Sequence, residues 1–239
     1  MKILICLFLA PLPSIIWLAF YLRKDKHPEP NRMIIKIFIL GILMVPLAGL
    51  LEHGFFLGLE KIALVEKIAI LVIGFALIEE LLKYLVVKFG ALRNSAFDEP
   101  VDAMIYMIIT ALGFAAAENI YLLSQAGPLK MSITSILEFI TTRFLGATFL
   151  HALSSGIIGY FLAASLLVKS RMRKLFIWGG LLGGTVLHSL FNYIIILNSQ
   201  ALISAVERNL YLLIVLLGMA IIVSLMFKKI NKCRSVCKI

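Results

Sequence analysis

Two adjacent glutamates, Glu79 and Glu80, and a lysine, Lys83, interrupt the apolar run GFALIEELLKYLVV. Further polar residues stand in equally apolar surroundings: Glu118 and Asn119 after GFAAA, His151 in FLHALSSG, and His188 and Asn192 in VLHSLFN. A charged side chain at the centre of a bilayer costs about 2.5–3.5 kcal/mol on insertion scales, so such residues are functional candidates by default. Two neighbouring carboxylates repel and need a cation beside them. Lys83 stands at i+4 from Glu79 and at i+3 from Glu80, so it can neutralise either on one helix face. An ideal Glu79–Lys83 pair would leave Glu80 free. His188 and Asn192 also share a face at i,i+4. A carboxylate that takes a proton from water lets that water attack a carbonyl. An imidazole and an amide can then hydrogen-bond the developing oxyanion. With no serine–lysine dyad and no GxGD-type aspartate, this set points to activated water rather than a covalent nucleophile, hence to peptide-bond hydrolysis. The competing chemistry is Zn²⁺ on glutamate and histidine ligands. The sequence lacks HExxH, so the expectation is a site with no cofactor, zinc being the alternative.

The elements that must carry these residues follow from composition. Of 239 residues, 62% are hydrophobic and 15% charged, with a mean hydropathy of +1.03. A soluble domain is near half apolar and a quarter charged, so a soluble globular enzyme is excluded, as is disorder. The expected fold is all-α, a polytopic bundle of about seven transmembrane helices forming one membrane domain. Apolar stretches long enough to cross a bilayer run over 3–22, 34–52, 67–88, 102–124, 141–168, 175–198 and 209–227. The segment 53–66 is too charged for a span and reads as an interfacial helix on the outer side. The net charge of +10 suits loops obeying the positive-inside rule better than nucleic-acid binding. Basic clusters at 23–36, 88–93, 169–174 and 228–238 fall on one side when the N-terminus is outside. The reading is therefore N-out and C-in, with 228–239 a basic cytoplasmic tail. Cys6, Cys233 and Cys237 form no disulfide framework. The glycines of the last third, Gly156, Gly159, Gly179-Gly180 and Gly183-Gly184, read as close helix packing. Helical rise puts Glu118 and Asn192 about 9 Å, His151 and His188 about 15 Å, and the glutamate pair about 18–20 Å from the outer span ends. The ionisable groups are thus expected in one cavity of the outer half of the membrane.

The succession EELLK (79–83), FAAAEN (114–119), HALSSG (151–156) and HSLFN (188–192), preceded by the acidic-proline loop DKHPEP (25–30), resembles the PrsW family of membrane proteases. That family is related to the wider glutamic-type intramembrane and CAAX-protease group. The resemblance covers about residues 17–195. It implies that Glu79, Glu80 and His188 form the catalytic core, with Asn192 assisting His188 at the oxyanion. Glu118 stands where CAAX-protease relatives carry a histidine in a Phe-x-x-x-His motif, and His151 belongs to a PrsW-like motif. The relatives' first glutamate is usually taken as the base, which points to Glu79, whereas the lysine spacing points to Glu80; both stay open here. The resemblance also implies a substrate class, a single-pass membrane protein such as an anti-sigma factor, cut on its extracytoplasmic side in an envelope-stress response.

Two other classes compete. A proton- or ion-coupled transporter would use the same buried Glu, His and Lys as a relay, but predicts paired repeats and broken helices that the sequence does not display. A silent scaffold would hold single-pass partners on its glycine-rich faces. Within the enzyme class, a CAAX prenyl-type protease would need a cleft opening to the inner face. The expected surroundings are the bilayer and a single-pass protein substrate, with no nucleic acid.

Overall fold

Local signals set where the helices of this chain begin. Pro100 occupies a first helical position, where its missing N–H is no loss. On either side of it, the side chains of Glu99 and Asp102 each accept from the other's backbone N–H in a capping box. Ser204 and Glu207 form a second such box, and the Ser132 side chain accepts from Ser135 N. The computed structural model describes residues 7–25, 27–59, 64–127 and 130–233, and for 64–66 the backbone alone. The main helices among them are α1 (Leu12–Leu22), α2 (Asn31–Gly58), α3 (Leu64–Gly90), α4 (Pro100–Gln125), α5 (Ile133–Leu145), α6 (Ala147–Leu166), α7 (Ser170–Ser199) and α8 (Ala205–Ile230). No strand occurs among the described residues. The architecture is all-α.

Five helical rods are long and apolar enough to cross a membrane: α2, α4, α5 with α6 over Ile133–Leu166, α7 and α8. α3 has the length but carries Glu79, Glu80 and Lys83, and the first apolar helix, Leu7–Leu22, is shorter. The expected spans are displaced at their ends, because helices continue past the hydrocarbon into the headgroup region, where polar and basic side chains are tolerated. Ser170 already opens α7, so most of the expected basic loop 169–174 is helical, and Lys228 and Lys229 close α8 instead of opening a tail. Residues 234–239 of that tail lie outside the described residues. The expected interfacial helix 53–66 is corrected: α2 runs unbroken to Gly58, and 60–63 lie outside the described residues. The expected span 141–168 is two helices that meet at Gly146, whose ψ of −99° interrupts the hydrogen-bond ladder. The Trp17 indole donates to the Phe144 carbonyl at 2.9 Å beside this break and stacks on Phe144 and Phe149.

α4 is the centre of the bundle. Every residue from Pro100 to Ala116 is buried, as expected of a helix apolar on all sides, and α1, α2, α3 and α6 pack round it. α2 and α4 approach through reciprocal glycines. A Cβ on Gly41 would lie 2.2 Å from the Thr110 carbonyl oxygen, and one on Gly113 2.1 Å from that of Phe38. Small residues allow such backbone contact within membranes. Gly184 lets α7 close on α6 against a side chain, since a Cβ there would lie 2.6 Å from Ile158 Cγ1; this seats α7 on α6 one turn before His188. The outward faces of α2 and α8 expose Leu43, Leu50, Leu213 and Leu217, a surface suited to lipid. The chain is a multi-pass membrane protein.

Candidate active site

Four helices deliver the polar residues to one place. α3 supplies Glu79, Glu80 and Lys83, α4 Glu118, α6 His151, and α7 His188. On α6, Ser154 and Ser155 follow His151 at i+3 and i+4 and so share its face. Glu80 is fully buried and takes four partners. Its Oε1 accepts from Lys83 Nζ at 2.8 Å and Ser154 Oγ at 3.0 Å and lies 2.9 Å from His188 Nδ1, while its Oε2 accepts from Ser155 Oγ at 2.8 Å. Glu79 is 8% exposed and accepts only from Lys83, at 3.2 Å. The spacing argument that Lys83 would pair with Glu79 and free Glu80 is therefore corrected: Lys83 bridges both, and Glu80 is the saturated one.

A single assignment of hydrogens satisfies the network. Lys83, also fully buried, gives its three donors to Glu79, Glu80 and His151 Nδ1, the last at 2.8 Å. His151 then donates Nε2–H to Glu118 Oε2 at 3.0 Å. His188 donates Nδ1–H to Glu80, which leaves the Nε2 lone pair open, 4.0 Å from Glu79 Oε2. The Lys83 ammonium also lies 4.6 Å from the centre of the Phe114 ring. Glu118 is held from its other side by Arg143 of α5. The Asn119 amide donates to Thr148 Oγ1 at 3.1 Å and its Oδ1 accepts from Arg143. Arg143 thus fixes the broken α5–α6 rod to the end of α4.

Of the expected site residues, Glu79, Glu80, Lys83, Glu118, His151 and His188 come together. Asn192 does not. It is half-buried one turn beyond His188 and lines a separate cavity of about 400 Å³ with Ile68, Leu71, Val72 and Phe75, and makes no hydrogen bond to the cluster. Ser154, Ser155 and Arg143 are the partners that sequence reasoning missed. The i+3, i+4 placement of the serines after His151 puts them on its face, but serine is too common at membrane helix contacts for that spacing to single them out.

Glu79 and Glu118 open onto a cavity of about 1100 Å³ between α2, α3 and α4, otherwise mainly apolar, with Pro46, Glu52, His53, Phe75, Phe114 and Tyr121 among its walls. An apolar space with a few convergent polar groups is the usual form of a binding site. One donor atom from each of Glu79, His151 and His188 lies within 4.8 Å of the others. These are the ligand types of a catalytic zinc site. Each histidine also carries a carboxylate on one ring nitrogen, Glu80 on His188 and Glu118 on His151, the outer support that metal-ligating imidazoles take. The donor set fits a zinc-type ion, with the Lys83 ammonium competing for Glu79 and His151 Nδ1.

Comparison with known proteins follows the same lines. A family profile described as "PrsW family intramembrane metalloprotease" matches residues 29–226. Curated relatives named Protease PrsW include one from Geobacillus kaustophilus, 31% identical over 74% of this chain and 73% of its own. Others come from Oceanobacillus iheyensis, at 28% identity over 77% and 79%, and Bacillus subtilis, at 25% over 77% and 79%. No solved structure matches. The profile accounts for most of the chain, including all four helices that build the charged cluster, and with these relatives it places the protein in the PrsW family of bacterial membrane peptidases.

Proposed function

We propose that the protein is a membrane-embedded endopeptidase that makes the extracytoplasmic-side, first cut in a single-pass membrane protein such as an anti-sigma factor, using water activated at Glu79. The observation that carries this is the contrast between the two glutamates: Glu80 is saturated and sealed, whereas Glu79 has one partner and faces the large cavity. Glu79 accepts a proton from water as the oxygen attacks the substrate carbonyl carbon. Once protonated at Nε2, His188 donates to the tetrahedral oxyanion while its Nδ1–H stays on Glu80. The C–N bond then breaks and the departing amine takes the proton held by Glu79. Lys83 and Glu118 are positioning residues, as is His151, which ties one to the other. The N-out orientation puts the cavity in the outer half of the membrane, which suits a juxtamembrane target whose carbonyls are not locked in a helix.

A second reading is favoured by the proximity of Glu79, His151 and His188 and by the family's description. In it these three residues would hold zinc, which would supply Lewis-acid polarisation of the carbonyl and a water of lowered pKa. His188 and His151 would still be oriented by Glu80 and Glu118, and Lys83 would release His151 Nδ1. The test is cleavage of a panel of single-pass proteins, anti-sigma factors and a prenylated peptide among them, by purified protein in liposomes with and without a strong chelator. New N-termini on the extracytoplasmic side support the proposal, and cutting confined to the cytoplasmic side or to the prenylated peptide contradicts it. Activity that survives chelation supports glutamate-activated water; activity lost and restored by Zn²⁺ moves the second reading to first place.

A further inference from the structure

A second buried cluster lies at the other end of α4. Asp102 stands sixteen residues before Glu118 on this helix, about 24 Å away by helical rise. It meets Asp25 and Glu29 of the α1–α2 loop, and one carboxylate oxygen from each of the three lies within 4.8 Å of the others. All three are buried: Asp25 is 8% exposed, Glu29 6% and Asp102 2%. Unlike Glu79 and Glu80, none has a cationic partner in the ion pairs among the described residues. His27, nearest in sequence, turns instead to Glu99 at 2.7 Å. Buried charges are paired or bound to a metal.

The hydrogen bonds around these acids leave one buried oxygen open, on Asp25. Asp102 Oδ2 accepts from the backbone N–H groups of Asp98 and Glu99, and Glu29 Oε2 accepts from the Tyr106 hydroxyl. Asp25 Oδ1 accepts from His27 N at 3.0 Å, but Asp25 Oδ2 is buried and has no hydrogen-bond partner. We propose that Asp25, Glu29 and Asp102 form a binding site for a hard divalent cation of the Mg²⁺, Ca²⁺ or Mn²⁺ class, which fastens the α1–α2 loop to the start of α4. Three carboxylates without nitrogen or sulfur select hard cations, and water completes their coordination. Both ends of the loop lead into helices that reach the active site region: α2 lines the large cavity, and α1 carries Trp17 to the break beside Gly146. The cation would therefore hold two walls of the bundle in register. This site is independent of the chemistry at Glu79.

Manganese binding tests the proposal, read by loss of the free Mn²⁺ resonance on the purified full chain in detergent micelles. The Glu79→Gln/His188→Ala background removes the imidazole-containing site from the count. The expected result is about one Mn²⁺ per chain in this background, displaced by Ca²⁺ or Mg²⁺. Affinity should fall at least about tenfold in Asp25→Asn and in Glu29→Gln. Thermal unfolding of the chain without any substitution, with and without Ca²⁺, guards against variants that fail to fold; its midpoint should rise with Ca²⁺ and fall back on chelation. Binding that is unaffected by both substitutions would overturn the proposal. So would the absence of Mn²⁺ binding and of Ca²⁺ stabilisation at millimolar concentration in the unsubstituted chain, which would mean that the three acids share protons instead.

Discussion

Glu79 and Glu80 are neighbours in the chain with opposite surroundings, and Lys83 links them. Its ammonium is buried with three acceptors, so its removal leaves carboxylates without their cation. Breaking a buried pair by deleting one partner costs about 3–5 kcal/mol. Lys83→Met should destabilise the protein by about that much in unfolding by denaturing detergent, against about 1 kcal/mol for Ser155→Ala, which loses one hydrogen bond to Glu80. A Lys83→Met protein as stable as the unsubstituted one would show that the lysine is not the hub of the network. The candidates Glu79, Glu118, His151 and His188 were legible in the sequence because charge and imidazole are costly in apolar spans. Ser154 and Ser155 were not, since serine is an ordinary residue at helix contacts in membranes. Asn192 stands at i+4 from His188 but lines a second cavity, which shares only Phe75 with the walls of the large one.

At the scale of elements, backbone contact and a docked loop set the geometry. The reciprocal approach of α2 and α4 at Gly41 and Gly113 leaves no room for a side chain. Gly113→Val forces the backbones apart and should cost at least the 1–3 kcal/mol typical of overpacking, with loss of cleavage, as the cavity lies between these helices. Stability equal to the unsubstituted protein would contradict that packing. The α1–α2 loop carries a pH dependence. Burial pushes the Glu29 carboxyl up to about 8, with the charges of Asp102 and Asp25 adding to the rise and the Tyr106 hydrogen bond opposing it. The charged groups facing this pocket are Asp25 and His27 of the loop, Asp102 of α4, and Asp98 and Glu99 before it. A carboxyl raised on folding contributes stability that is complete below its ordinary value of 4.5 and is lost as pH rises through about 8. With divalent cations chelated, the unfolding temperature should therefore decline from pH 5 to pH 9, and Glu29→Gln should flatten the decline. An equally steep decline in Glu29→Gln would assign it to another group. The break at Gly146 was hidden in the sequence, where 141–168 reads as one apolar run and only the backbone angles separate two helices.

For the whole molecule, hydropathy made the all-α membrane fold legible, because lipid requires each backbone group to be satisfied within its own helix. Helix ends were less so, since caps such as Ser132 and Ser204 act beyond the apolar stretch. The association of Asp25 and Glu29 of the DKHPEP loop with Asp102 is not legible in the sequence, because acids in a loop read as solvated until the fold buries them. The N-out, C-in orientation is tested by labelling single cysteines, introduced into a cysteine-free chain, with a membrane-impermeant thiol reagent. Gln200→Cys should react in intact cells, and Lys169→Cys only after permeabilisation; the reverse pattern would put the cavity in the inner half of the membrane. Activation of the water by Glu79 is the step on which cleavage depends. Its most direct measurement is the single-turnover cleavage rate of one bound single-pass substrate by the unsubstituted protein and by Glu79→Gln, with substrate binding measured in parallel. The Glu79→Gln rate should be lower by about 10²–10⁴, the usual contribution of a general base, at unchanged affinity. A Glu79→Gln protein that cleaves within tenfold of the unsubstituted rate would contradict it.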